Sequence, residues 1–462
     1  MRLKSTPVFL LVFLGLFGLL IGGRYLGAFP TIPQPAPINP GDNGSISWDV
    51  KLNHPFVEKS SDGEILMNLK IKGREMKASK RAPVNLVLVI DRSGSMDESG
   101  KLEYAKEAAK RIISGLGSGD RIGIVAYATD VQLLYPIQFL TNKENAISVV
   151  DSLYATDSTN LSGGLTAGID QLRSLERDGY VNRLILLSDG LANVGITQVG
   201  QLTPIASQAA EGGIHITTMG LGLNYDENLM MNLAEYGAGN YYFIESPSQL
   251  SSIFDKEFGQ ILATVAKGAS VYLSLAPGVE LKNVYGYTHS VEDGRIRINL
   301  GDIFGGMERN ILIKLDAPTD KVGKLQLAMV SFEFTDIVKN NVAVSLQSEL
   351  AYEVTEDKDK VAANEDKEVT ARGVSVDAAN DMYRSTTYYE TGNRVDALYN
   401  IKAALGRISE LNNSPHRSAD TVKQEEELRK AADLMEAAPA VESDAGKSLI
   451  KDYKAKAREL QK

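Results

Sequence analysis

The 462-residue chain contains no cysteine. That excludes disulfides, thiolate metal sites and thiol nucleophiles together. An exported protein without disulfides must stand on its core alone, which suits a bacterial surface better than a secreted animal protein. Histidine is scarce as well: His54, His215, His289 and His416 are the full set, and a serine-based hydrolase would need one beside a G-x-S-x-G elbow that the chain lacks. No G-x-x-x-x-G-K-[ST] loop is present to cradle nucleotide phosphates. Basic runs of useful length are missing too, and the net charge of -10 argues against nucleic acid as a partner.

One long apolar run does occur, from Val8 to Gly23, with Arg2 and Lys4 before it and Arg24 after it. Its sixteen residues make roughly 24 Å of helix, a little short of a ~30 Å hydrocarbon core. Tyr25 to Phe29 lengthen it if Arg24 snorkels. Residues 1–29 therefore read as a signal anchor, or as a signal peptide removed on export; no convincing cleavage site follows, which favours the anchor. The basic flank keeps the N-terminus inside and sends the rest across, to an extracytoplasmic location, membrane-anchored or secreted if cleaved. Residues 30–44, PTIPQPAPINPGDNG, form a stiff proline-rich linker.

Hydrophobic periodicity divides the remainder. Over 45–80, "SISWDVKLNHPF" and "GEILMNLKIKG" alternate with period two, which predicts two strands with Trp48 as a core or edge aromatic. Two strands cannot bury a face alone, so they must pair with strands elsewhere. Over 81–267, continuous apolar runs such as "VNLVLVID", "RIGIVAYA", "RLILLSDG" and "IHITTMGLG" alternate with amphipathic segments. That pattern predicts an α/β domain with a doubly wound, mostly parallel, Rossmann-like sheet covered on both faces. Period two returns over 268–354 and predicts an antiparallel β-sandwich of some six strands, which the earlier pair completes if the α/β domain is inserted in it rather than merely flanked by it. Residues 355–462 read as a helical tail, with helices near 360–390, 394–411, 419–436 and 445–460.

The chemistry gathers at strand ends. In a parallel sheet, ligands meet the carboxyl ends of the strands. Asp91 closes "LVLVID" and Asp189 closes "LILLSD", so the fold itself brings two carboxylates to one edge. After Asp91, Ser93 and Ser95 alternate around Gly94, whose freedom lets both hydroxyls face inward. Such an all-oxygen set suits a hard cation, Mg²⁺, Mn²⁺ or Ca²⁺, rather than zinc.

"DRSGSM" (91–96), "DSTNLSGGL" (157–165) and "LLSDGLANVG" (186–195) resemble the three signatures of the von Willebrand factor type A domain, including its metal-ion-dependent adhesion site. The resemblance implies metal ligation by Asp91, Ser93, Ser95, Thr159 and Asp189, some of the carboxylate contacts passing through water. One departure is visible: Asp157 and Ser158 stand where a glycine-rich pair commonly precedes the threonine. Asp157 reads as a solvent-facing turn residue in preference to a negative charge beside the metal, Asp97 and Glu98 either as candidates for an adjacent cation or as acids at a helix start, and Asn160 and Asn193 as loop fasteners. More loosely, a β segment before this domain and a sandwich after it resemble bacterial surface proteins and the inter-alpha-trypsin inhibitor heavy-chain arrangement.

The expected function follows from that resemblance. It is divalent-cation-dependent protein binding at the cell envelope, with the metal's open position taken by an aspartate or glutamate of a partner, as in adhesion. The alternative is a scaffold or assembly factor for a membrane or envelope complex, toward which the helical tail leans. A metal-assisted hydrolase is the remote alternative, because nothing supplies a base or a second metal set. The expectation is therefore a non-enzyme.

Overall fold

The computed structural model describes residues 44–75, 81–156, 158–175 and 179–462. The apolar run, the linker up to residue 43 and Asp157 lie outside the described residues.

The first alternating segments form β1 (Ile46–Leu52), a short β2 (Phe56–Glu58) and β3 (Glu64–Gly73). β1 and β3 pair antiparallel, from Ile46 opposite Gly73 to Leu52 opposite Met67. Trp48 is buried, its ring facing that of Phe332.

Next comes the α/β segment: β4 (Val84–Asp91), α1 (Lys101–Gly115), β5 (Arg121–Tyr127), β6 (Val131–Phe139), α2 (Lys143–Asp151) and α3 (Leu161–Arg173). It continues with β7 (Val181–Ser188), α4 (Val199–Glu211), β8 (His215–Leu221), α5 (Glu227–Tyr236), β9 (Ala238–Ile244) and α6 (Leu250–Leu262). The strand order is β6-β5-β4-β7-β8-β9, and every neighbouring pair is parallel except β5 with β6. β4, β7 and β8 are buried at every position, because helices cover both faces. Leu102, Ile112 and Phe254 pack one face, and Leu165, Leu202 and Leu229 the other. β6 escapes the sequence reading, since "VQLLYPIQF" neither runs continuously apolar nor alternates cleanly. Its Pro136 is tolerable because β6 is an edge strand.

α3 lies close on the sheet through two glycines. A Cβ at Gly164 would stand 2.5 Å from the Tyr127 ring, and one at Gly168 would stand 2.5 Å from Val89 Cγ2 and 2.8 Å from Leu184 Cδ1. Gly168→Ala should therefore destabilise. Overpacking costs about 1–3 kcal/mol, and the gain of about 1 kcal/mol in helix propensity offsets part of it, for a net loss of about 1 kcal/mol. A urea midpoint at or above that of the wild type would refute the close approach.

The second sandwich segment comprises β10 (Thr264–Leu275), β11 (Glu280–Val284), β12 (His289–Glu292), β13 (Arg295–Phe304), β14 (Glu308–Asp316), β15 (Gly323–Asp336) and β16 (Val342–Thr355). β3 pairs with β14 from Glu64 opposite Asp316 to Lys72 opposite Glu308, and β2 pairs parallel with β16. The two sheets, β1-β3-β14-β11 and β12-β13-β10-β15-β16-β2, thus draw strands from both sides of the α/β segment. The α/β domain is inserted in the sandwich.

The tail forms α7 (Lys358–Ala363), α8 (Lys367–Glu390), α9 (Arg394–Asn412), α10 (Ala419–Ala437) and α11 (Asp444–Gln461) around Tyr389, Ile401, Leu428 and Tyr453. The helix expected over 360–390 is broken. Asp366 donates its amide to Asn53 O and caps α8 by accepting the Glu368 and Val369 amides. That anchors the chain to the sandwich at the point where a continuous helix would swing away. Among the described residues no helix is long and apolar enough to cross a membrane.

Candidate metal centre

Parallel pairing sets Ile90 of β4 opposite Leu187 of β7. The two strands therefore deliver Asp91 and Asp189 side by side at their carboxyl ends, both fully buried. Asp91 Oδ1 accepts the Ser93 amide at 2.8 Å, and Oδ2 accepts Ser188 Oγ at 2.8 Å. Burial pushes the Asp91 carboxyl up to about 6; hydrogen bonds from Ser93 and Ser188 pull it down, while the negative charge of Asp189 adds to the rise.

Ser95 Oγ donates to Asp189 Oδ1 at 2.7 Å and lies 3.2 Å from Ser93 Oγ, so the first loop's hydroxyls reach across to the second carboxylate. Gly94 opens a short 3-10 segment, Gly94–Gly100. The expectation that its conformational freedom makes the turn is corrected here. The left-handed backbone falls instead at Ser99 (φ 55°) and Gly100 (φ 69°), and Gly94 keeps a negative φ.

Thr159 is held from both sides. Its amide donates to Asn193 Oδ1 at 2.9 Å, and its carbonyl accepts the amides of Asn193 at 3.1 Å and Val194 at 3.3 Å. Asn160 caps α3 by accepting the Gly163 amide at 3.0 Å. A methyl placed at Gly190 would lie 3.4 Å from both Ser95 Oγ and Thr159 Oγ1. Hydroxyls from the first and second loops therefore converge over the glycine that follows Asp189, and a side chain there would fill the space between them.

The five residues named from the sequence thus come together. Asp97 and Glu98 are exposed. His215 is buried far from solvent beside Asp302. Three residues escape the sequence reading. Ser188, the hydroxyl just before Asp189, anchors Asp91. Arg92 donates to Thr156 Oγ1 at 2.8 Å and pairs with Asp130, tying the first loop to the second. Lys101 donates from Nζ to Asp189 Oδ2 at 2.7 Å. "LLSDG" carries a signal for Ser188, since a polar residue interrupts an apolar strand. Nothing in the spacing of α1 marks which of its lysines meets a carboxylate of the centre: Lys106 is as buried as Lys101 and pairs with Glu103.

The donor set fits a hard divalent cation. It offers three hydroxyls and two buried carboxylates that repel one another, all oxygen. Among the described residues no three side chains of His, Cys, Asp or Glu converge, so the hydroxyls must contribute to any coordination shell.

A family model described as von Willebrand factor type A domain matches residues 85–256. The uncharacterized protein YfbK of Escherichia coli is 30% identical over 276 residues, covering 57% of this chain and 47% of that protein. The E3 ubiquitin-protein ligase WAV3 of Arabidopsis thaliana is 26% identical over 330 residues, covering 68% and 41%. Inter-alpha-trypsin inhibitor heavy chain H3 of Mus musculus is 27% identical over 195 residues, covering 40% and 22%. The matches thus span about half or less of these relatives' lengths. Among solved structures, a von Willebrand factor type A protein from Catenulispora acidiphila superposes with a TM-score of 0.70 at 16% identity, covering 89% of this chain and 96% of that one, and so shares the fold.

Proposed function

The chain carries a von Willebrand factor type A domain over residues 85–256, and from that premise we propose that it binds a protein partner through a divalent cation held by Asp91, Ser93, Ser95, Thr159 and Asp189, at the cell envelope. The observation that carries the reading is the convergence of the Ser95 and Thr159 hydroxyls over Gly190, beside two buried carboxylates. When bound, the cation supplies an open coordination position for an oxygen ligand. This chain's residues do the rest. Ser188 and Ser95 hold the two carboxylates by hydrogen bonds, Asn193 fixes Thr159, and Gly190 leaves the mouth clear. Exposed Leu191, two residues past Asp189, and exposed Tyr154, ahead of Thr159, give a partner apolar surface beside the charged centre.

The partner's ligand is an aspartate or glutamate, and the role is binding rather than catalysis. The ligase name belongs to the Arabidopsis relative, of which the match covers 41%. Calorimetry of the full chain with Mg²⁺ tests the site. Wild type should bind, Asp91→Ala should weaken binding at least about 100-fold, and Thr159→Ala by about 10-fold or more. Equal binding by all three would end the proposal. A scaffold role would use the same centre, and the tail favours it, because α11 is tied to the α/β domain through Lys451 and Lys454. Partners crosslinked from the same envelope would support the scaffold; chelator-sensitive attachment of whole cells would support adhesion.

A further inference from the structure

Lys101 opens α1 and is only 7% exposed. Its ammonium donates to Asp189 Oδ2 at 2.7 Å and to the backbone oxygen of Ser95 at 3.3 Å, while Asp189's other oxygen accepts Ser95 Oγ. A fixed positive charge therefore sits among the oxygens that converge on the metal centre. The loop after β8 closes over it: Gly222 has a φ of 77°, and a Cβ there would lie 3.6 Å from Lys101 Cε. The exposed Glu98 carboxylate comes to 3.9 Å and, facing water, offsets little of the charge.

We propose that Lys101 is the resident counter-cation of the centre, compensating Asp189 when no metal is bound and setting how tightly a divalent cation is taken up. The inference rests on the metal-binding reading above. Charge counting gives its consequence. Asp91 and Asp189, once ionised, bring two negative charges and Lys101 one positive, so the loaded centre carries a net +1, which one incoming carboxylate neutralises. Without Lys101 the loaded centre would already be neutral. The one ammonium thus acts in opposite directions, repelling the divalent cation and favouring the partner's carboxylate. It also keeps Asp189 from being a buried charge without a counter-ion.

The test is calorimetry of the full chain with Mg²⁺ alone, on wild type, Lys101→Met and Lys101→Gln, with thermal melts in chelator and in saturating Mg²⁺. Gln keeps a hydrogen-bond donor and loses the charge, so a merely structural role would leave its Mg²⁺ affinity at the wild-type value. Both variants should bind Mg²⁺ about tenfold or more tightly than wild type. Lys101→Met should melt roughly 5 °C or more below wild type in chelator, with Mg²⁺ closing the gap. If wild type binds Mg²⁺ and neither variant binds it more tightly, this inference fails and the proposed function stands. Uptake by the variants but not by wild type supports the role of Lys101 and overturns the proposed function for the unaltered chain. No uptake by any of the three overturns both.

Discussion

Asp302→Asn will lower the stability of the protein by about 3–5 kcal/mol, because it strips the counter-charge from an arginine sealed between the α/β domain and the sandwich. Arg183 on β7 donates from Nη2 to Asp302 Oδ2 on β13 at 3.0 Å, and His215 Nδ1 on β8 lies 2.9 Å from the same oxygen. The Arg183 and Asp302 side chains are 1% and 2% exposed. Among the described residues Arg183 Nε and Nη1 have no hydrogen-bond partner, and the guanidinium lies 5.7 Å from the Phe304 ring. This arginine therefore depends on Asp302, and removing the carboxylate leaves a buried cation that little else stabilises. The guanidinium chloride midpoint reads the loss directly, and a shift worth less than about 1 kcal/mol would contradict the account. The double variant Arg183→Met with Asp302→Asn should lose less than the single one, since no uncompensated charge remains.

The same group carries a pH dependence with a definite sign. Burial works against ionisation of Asp302, but His215, Arg183 and Lys267 together outweigh it and hold the carboxyl below the usual carboxylate range. A carboxyl depressed in the folded state contributes stability that is complete above its unfolded value, about 3.9, and lost as pH falls through the lower folded value. Acidification below about pH 4 should therefore narrow the stability gap between wild type and Asp302→Asn.

Glu227→Gln should have a comparable effect at the other junction, where the tail meets the α/β domain. Lys451 Nζ donates to Glu227 Oε2 at 2.5 Å and to Tyr225 O at 2.7 Å, and Lys454 Nζ donates to Glu227 Oε1 at 3.0 Å and to Glu390 Oε2 at 2.7 Å. The two lysines share Glu227, and all three side chains are buried. Removing its charge leaves two ammoniums close together with Glu390 and Asp226 as remaining counter-charges, at a cost of about 3–5 kcal/mol. The loss should be local as well as global. Amide exchange along α11 should quicken more than exchange along β4 and β7, because α11 is the element that the glutamate holds. Uniform exchange across α11 and the central strands would contradict this. Burial opposes ionisation of Glu227, yet the two lysines pull its carboxyl down to about 2. Its contribution is therefore present above its ordinary value of about 4.3 and disappears as pH falls from there toward 2. Acid should undock the tail before it melts the sandwich core of Leu69, Val271 and Phe332, whose packing is apolar.

Much of the fold was legible because burial on both faces leaves a distinctive pattern. "VNLVLVID" and "RLILLSD" are apolar throughout since helices cover each side, and period two in "EILMNLKIKG" marks a strand with one face in a sandwich core. β6 was not legible, as an edge strand carrying a proline lacks both signatures. The break before α8 was hidden for another reason: Asp366 caps a helix and meets Asn53 O at one position, and only the second of those roles, made across the fold, forces the break.

At the centre, residue types and chain positions pointed to Asp91, Ser93, Ser95 and Asp189, because a parallel sheet brings strand ends to one edge, whereas Thr159 came from the resemblance of "DSTNLSGGL" to a von Willebrand factor type A signature. Lys101 was out of reach, since its importance lies in which buried oxygen it meets, while Ser188 left only the trace of a polar residue interrupting an apolar strand.

The sequence by itself determined the classes of element, the order of the α/β and sandwich segments and the two oxygen-bearing strand ends at Asp91 and Asp189, since each depends on local periodicity or on residue type. Only the tertiary structure decided that β3 pairs with β14 across the inserted domain, that Arg183 and Asp302 seal one junction and Glu227 with two lysines the other, and that Lys101 turns inward onto Asp189. Each of these depends on a contact between residues far apart in the chain, and burial gives such a contact its energy only after the fold has brought the partners together.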